Sequence, residues 1–138
     1  MNLNTTLQIQ AELSALGDIW LNETVSTTDA TPTTVYTYAI TANQPVQIEV
    51  NCTAMRETSG AFLAKRSKTF FYDGTTVHEG GWWATLTDQR LGTGVDNCDF
   101  DIVVTGTDID IIWTGEAADM TAEFKYIIHK MQSSTLLP

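Results

Sequence analysis

The chain has 138 residues, and 17 acidic against 7 basic side chains give it a formal net charge of −10. This length suits one domain, and a hydrophobic fraction of 43% excludes wholesale disorder. The acidic balance excludes nucleic acid and anionic lipid as partners, because both bind basic surfaces. No apolar run reaches the ~20 residues of a membrane span, and the first ten residues lack the basic head and apolar block of a secretory signal.

The residue mix favours sheet over helix. Threonine fills 23 positions, and side chains branched at Cβ pack well on a pleated surface. Apolar and polar residues alternate with period 2 between turn signals, which is typical of half-buried strands. In chain order the pattern predicts ten strands, at residues 6–13, 19–25, 33–40, 46–55, 61–72, 75–79, 82–87, 98–105, 108–114 and 121–131.

Short strands at near-regular spacing predict an all-β fold, namely an antiparallel, jelly-roll-like β-sandwich with an N-terminal arm. Residues 1–28 are predicted to be the arm or an extra strand pair, 29–132 the sandwich body, and 133–138 a loose tail. Two adjacent glycines, Gly80 and Gly81, predict a turn between the strands at 75–79 and 82–87.

One hairpin can be predicted with its register. Glycine suits the first position of a two-residue loop, so Gly106-Thr107 is predicted to be a type II′ turn. A shift by one residue would set Asp101 opposite Asp110 and lose the apolar match. The predicted pairs, all on one face, are Val104 with Ile109, Ile102 with Ile111, and Phe100 with Trp113.

The histidines and cysteines give no catalytic or metal motif. His78 and His129 fall in separate predicted strands, where packing or surface roles are expected. Cys52 and Cys98 fall on the apolar phase of their strands and are predicted to be buried thiols, with a disulfide between the two sheets as the alternative. We expect no zinc site and no cofactor.

Acidic residues concentrate in one part of the sequence. A solvated outer face is the simplest interpretation. Calcium binding, a basic partner surface and glycosidase-type acid–base chemistry are the alternatives. The residues concerned are Asp96, Asp99, Asp101, Asp108 and Asp110.

Three of the seven basic residues, Lys65, Arg66 and Lys68, lie on one predicted strand. They indicate either a charged edge strand that resists aggregation or a bridge to an acidic neighbour, such as another copy of this chain.

Three tryptophans are further interface candidates. Adjacent residues of a strand point to opposite faces, so one of Trp82 and Trp83 is predicted to enter the core and the other to face solvent or a partner. Trp20, in the predicted arm, is the third candidate.

Several short motifs resemble a small β-domain of tailed-bacteriophage virion proteins. They are TTDATPTTV at 27–35, leading into a strand, VTGT at 104–107 and WTG at 113–115. The resemblance covers about residues 26–131 and leaves out 1–25. The family has no catalytic residues to transfer.

The resemblance implies a structural protein of the phage virion that works as an oligomer, often a homotrimer. We expect a non-enzymatic capsid decoration (cement) protein, made in the host cytoplasm, that binds the major capsid protein or another virion protein on the outside of the shell. The alternative is a tail-fibre module that recognises host-surface carbohydrate through exposed Trp82 or Trp83 and nearby aspartates, which predicts an exposed aromatic shelf flanked by polar groups. A small glycan hydrolase is the third hypothesis, and it needs two carboxylates in a cleft.

Overall fold

The computed structural model describes residues 18–130, and for residues 81–87 it describes the backbone alone. The described part consists of strands joined by turns and loops. No helix in it is long and apolar enough to cross a membrane. The strands are β1 (Asp18–Thr27), β2 (Thr33–Ala39), β3 (Val46–Arg56), β4 (Gly60–Tyr72), β5 (Val77–Gly92), β6 (Asp99–Thr105), β7 (Asp108–Thr114) and β8 (Met120–Lys130).

These strands form two antiparallel sheets, which confirms the predicted all-β sandwich. The large sheet has the order β1-β8-β3-β4-β5, and the small sheet has the order β2-β7-β6. The chain therefore folds as nested pairs, in which β1 pairs with β8 and β2 with β7. The strand β4 lies between β3 and β5, so its basic residues are not on a sheet edge.

The core fills the space between the sheets because apolar residues alternate along each strand. Burying each large apolar side chain stabilises the fold by about 1.5–3 kcal/mol. Aromatic rings meet edge to face at the centre, where Trp113 and Phe124 have centroids 5.8 Å apart and Phe100 and Phe124 have centroids 5.7 Å apart. Cys52 and Cys98 are buried free thiols, as predicted, and burial raises the pKa of both.

The register predicted for the β6–β7 hairpin is confirmed. Phe100 lies opposite Trp113, Ile102 opposite Ile111, and Val104 opposite Ile109. Gly106 has φ 63°, a left-handed conformation that glycine adopts without steric cost.

The turn predicted at Gly80-Gly81 is wrong. Both glycines lie inside one continuous strand, β5, and the register with β4 shifts next to them, between Lys68 and Phe70. A Cβ at Gly80 would overlap the Thr69 hydroxyl. Glycine at position 80 therefore allows β4 and β5 to approach each other closely.

The chain reverses between β4 and β5 at residues 73–76. There Asp73 accepts hydrogen bonds from the backbone N–H groups of Thr75 (2.8 Å) and Thr76 (2.7 Å).

Part of the predicted N-terminal arm belongs to the large sheet. Residues 18–27 form its edge strand β1, which pairs with β8 over ten residues. The predicted strand at 6–13 and the predicted tail at 133–138 lie outside the described residues. The boundaries of arm, body and tail stay predictions.

Candidate functional site

The basic residues of β4 are divided between the two faces of the large sheet. Arg66 and Lys68 share the phase of the core residue Phe62, so they point into the sandwich and are only 7% exposed. Lys65 has the opposite phase, lies on the outer face, and forms an ion pair with Glu49 at 2.8 Å. The three residues therefore do not form one surface.

Arg66 donates hydrogen bonds to two acidic side chains and to one backbone carbonyl group of β6. Its guanidinium donates to Asp99 Oδ1 (2.6 Å), to the Phe100 carbonyl oxygen (2.6 Å) and to Asp88 Oδ2 (2.9 Å). Burial acts to lower the pKa of Arg66, but the hydrogen bonds and charges of Asp99 and Asp88 outweigh it and raise that pKa. Arg66 therefore remains charged in the interior.

Lys68 makes the corresponding contacts one step further along β6. Its Nζ lies 2.9 Å from the Ile102 carbonyl oxygen, 2.6 Å from Glu79 Oε1 and 3.5 Å from Asp101 Oδ1.

Arg90 of β5 completes the series at the beginning of β6. It donates to the Cys98 carbonyl oxygen at 2.7 Å and also to the Val95 carbonyl oxygen. We call these three inward-pointing residues, Arg66, Lys68 and Arg90, the cation row.

The cation row and three carboxylates together cap the free edge at the beginning of β6, from Cys98 to Ile102. The carbonyl groups of Cys98, Phe100 and Ile102 accept from the cations. The N–H groups of the same residues donate to Glu116, Asp99 and Asp101, respectively. A strand whose edge groups are already bonded offers no template for another strand. Arg66 and Lys68 thus bind acidic residues of this same chain. A role for them, or for Lys65, in binding a partner stays a prediction.

The tryptophans are placed differently from one another. Trp82 and Trp83 lie in β5, where Trp82 is opposite Lys68, but their side chains are outside the described residues. The choice between core and interface for each of them stays a prediction. Trp20 lies on β1 and is 66% exposed, on the outer face of the large sheet.

A depression of about 370 Å³ surrounds Trp20 on this outer face. A second depression of about 130 Å³ shares Asn51 and Lys125 with the first, so the two lie next to each other. The strand register brings these polar side chains together, because Lys125 lies opposite Asn22 on β1 and opposite Asn51 on β3. We call the two depressions together the Trp20 groove. Its outward-facing residues are Trp20, Asn22, Asn51, Thr53, Glu123, Lys125 and Ile127.

Charges beside the groove are paired in a line across four strands, β1, β8, β3 and β4. His129 lies 3.2 Å from Asp18 and 3.7 Å from Glu49, and Glu49 in turn binds Lys65. In the groove itself, Lys125 Nζ is 3.8 Å from Glu123 Oε1, and both side chains are more than half exposed. This separation, at an exposed position, makes a weak ion pair.

The small sheet carries most of the predicted acidic cluster. Asp99, Asp101, Asp108 and Asp110 lie on its outward phase, and its three strands contain no lysine or arginine. Asp110 accepts a hydrogen bond from Thr37 at 2.7 Å. Within residues 18–130, no group of three or more potential ligands is placed to hold a metal ion.

His78 is the second residue of β5, and it contacts the β4–β5 turn through Asp73. Its Nε2 lies 2.9 Å from Asp73 Oδ2, and its ring stacks on Phe71 with centroids 6.3 Å apart. Hydrogen bonds from the Thr76 backbone, His78 and the Thr75 backbone lower the pKa of Asp73 to about 2.

Sequence reasoning identified Trp20 but missed Asn22, Asn51 and Lys125. The outward phase of each strand was visible in the alternation. The cross-strand neighbours of Trp20 were not visible in the sequence, because β1 and β8 are separated by about one hundred residues.

No family model matches the chain, and no curated protein matches it in sequence. Among solved structures it is similar to the tailspike protein of Acinetobacter baumannii phage AM24, at 12% identity and a TM-score of 0.49. It is also similar to a tailspike protein of A. baumannii bacteriophage Fri1, described as a capsular polysaccharide depolymerase, at 8% identity and a TM-score of 0.39. Each match covers 85% of this chain, which spans 27% of the first tailspike and 20% of the second.

Both similar structures are tailspike proteins of bacteriophages, and likenesses of this degree assign no role or position to this chain. The expectation that this chain is not an enzyme is corrected here, because one of the two is described as a depolymerase. The exclusion of enzymatic activity is withdrawn, although a likeness of this degree assigns no activity to the chain.

Proposed function

We propose that this chain is a domain of a phage tail spike or tail fibre that binds carbohydrate on the host surface through the Trp20 groove. The observation that carries the proposal is the exposed indole of Trp20 beside the amides of Asn22 and Asn51. This is the aromatic shelf with polar flanks that the tail-fibre hypothesis requires, although it is built on Trp20 and not on Trp82 or Trp83.

The chemistry of the groove suits a sugar better than an apolar ligand. A pyranose ring presents a C–H face, which packs on an indole, and hydroxyl groups around its rim. Asparagine amides both donate and accept, so Asn22 and Asn51 can each satisfy a sugar hydroxyl. The groove is open and shallow, which allows a polymer to pass across β1, β8 and β3.

Tail placement accounts for this groove, whereas capsid decoration makes no use of it. The two similar structures are tailspike proteins, which is in keeping with a tail protein. Association with copies of itself, expected as a homotrimer, remains a prediction in either setting.

The test is binding of the full chain to an array of purified bacterial capsular and O-antigen polysaccharides. We expect binding to at least one polysaccharide and a loss of tenfold or more in Trp20→Ala. Leu91→Ala is the matched control, because Leu91 is 54% exposed on the same sheet and lies outside the groove. Absence of binding by the unmodified chain, or equal binding by Trp20→Ala, would overturn the proposal.

A further inference from the structure

Lys125 lines the Trp20 groove with a positive charge that a neutral sugar would not pair with. Its side chain is 67% exposed, and its described ion-pair partner, Glu123, is 3.8 Å away on the same strand. The other lysine of this face, Lys65, is only 35% exposed and is held by Glu49 at 2.8 Å. Lys125 therefore presents the more accessible ammonium group on the outer face of the large sheet.

Lys125 is flanked by hydrogen-bond donors on both neighbouring strands. Asn22 and Asn51 lie directly opposite it, on β1 and β3 respectively. Side chains opposite one another in an antiparallel sheet have Cβ atoms about 5 Å apart. One ammonium and two amide N–H groups at this spacing form a set of donors that one carboxylate can bridge.

The distribution of charge makes this face less repulsive to an anion than the small sheet is. The chain has a net charge of −10, which repels a polyanion over most of the surface. The described outer face of the large sheet is closer to neutral, with Asp18, Glu49 and Glu123 set against Lys65 and Lys125. The strands of the small sheet carry carboxylates and no lysine or arginine.

From these three observations we infer that the ligand of the Trp20 groove is an acidic glycan. A sugar carboxylate is seated on Lys125 between Asn22 and Asn51, while an adjoining ring packs on Trp20. This inference rests on the proposed function and adds to it the chemical class of the ligand. Uronic-acid carboxylates are ionised at neutral pH, so the contact with Lys125 is a charge-assisted hydrogen bond.

The experiment uses purified acidic capsular polysaccharides, each before and after chemical reduction of its carboxyl groups to alcohols, in titration calorimetry with the full chain. Reduction removes the charge and keeps the sugar sequence. We expect the acidic form to bind about tenfold or more tightly than its reduced form, because hydrogen bonds to charged groups are the stronger ones. Added salt should weaken binding of the acidic form alone.

Two lysine variants locate the contact. Lys125→Gln should weaken binding of the acidic form about tenfold and leave the reduced form unchanged. Lys65→Gln, which removes one positive charge from the same face outside the groove, should change neither.

The outcomes separate the inference from the proposed function. Equal binding of acidic and reduced forms, still dependent on Trp20, overturns the inference and leaves carbohydrate binding intact. Equal weakening by Lys125→Gln and Lys65→Gln overturns the contact at Lys125. Binding of neither form to any polysaccharide contradicts both.

Discussion

The inner and outer faces of the large sheet carry the same basic residue types in opposite situations. On the inner face the cation row is bound to the edge of β6, with Arg66 and Lys68 only 7% exposed. On the outer face Lys125 is 67% exposed beside the Trp20 groove. The phase of Arg66 and Lys68 in β4 therefore gives them a structural role, whereas the outward phase of Lys125 in β8 leaves it accessible.

The difference also shows how this fold controls its edges. The small sheet ends at β6, and cations from the large sheet bond to its carbonyl groups where a further strand would otherwise pair. This arrangement ties the two sheets together at one side of the sandwich. We expect substitutions on the inner face to change stability, and substitutions on the outer face to change binding.

The largest effect on stability is expected for Arg66→Met. The substitution removes the hydrogen bonds that Arg66 donates to Asp99, Asp88 and the Phe100 carbonyl group. The Asp99 and Asp88 carboxylates are 51% and 39% exposed and can be hydrated, whereas leaving the buried carbonyl group unbonded costs about 1–3 kcal/mol. The free energy of unfolding measured in urea should therefore fall by about 1–3 kcal/mol. Lys65→Met is the matched control, and it should cost less than about 1 kcal/mol. Similar losses for both variants would remove the distinction between the two faces.

A smaller effect of opposite sign is expected for Tyr126→Phe. Among the described residues, the Tyr126 hydroxyl is the buried side-chain polar atom without a hydrogen-bond partner, and burial raises its pKa. Removing an unsatisfied hydroxyl should raise the free energy of unfolding by about 1 kcal/mol. Tyr36→Phe, on the half-buried ring that lies 5.1 Å from that of Tyr126, should leave it almost unchanged. Destabilisation by Tyr126→Phe would show that the hydroxyl has a partner.

The smallest effect is expected in the exposed turn between β4 and β5. The pKa of Asp73 is about 2 in the folded chain, below the 3.8 of an unperturbed aspartate. Its contribution to stability is therefore complete above pH 4 and is lost as the pH falls towards 2. In melting curves recorded between pH 6 and pH 2, the unmodified chain should melt above Asp73→Asn at pH 6, and the two should converge at pH 2. A constant difference across this range would contradict the assignment.

Local pattern was enough to predict most of the described strands and the β6–β7 register. Alternation places Phe100, Ile102 and their partners on one face, and a single glycine fixes the loop. The same alternation also places Arg66 and Lys68 in phase with Phe62. That signal could have predicted their burial, but a cluster of three charges in sequence favoured an exposed surface.

The site depends on pairings that no local pattern reveals. The Trp20 groove exists because β1 lies beside β8, and β8 beside β3, which joins Asn22, Lys125 and Asn51 from distant parts of the chain. The Gly80-Gly81 pair was misread for a related reason. Glycine predicts a turn from sequence alone, whereas the close approach of Thr69 on the neighbouring strand becomes visible only in the folded sheet.

The most direct test of the account is a titration of the isotope-labelled full chain with oligosaccharides from a polysaccharide that it binds, followed by amide NMR spectra. We expect chemical-shift changes at Trp20, Asn22, Asn51 and Lys125, including the Trp20 indole N–H, and unchanged amides in β6 and β7. Changes centred on the small sheet, with the Trp20 groove unaffected, would contradict the assignment of the binding face.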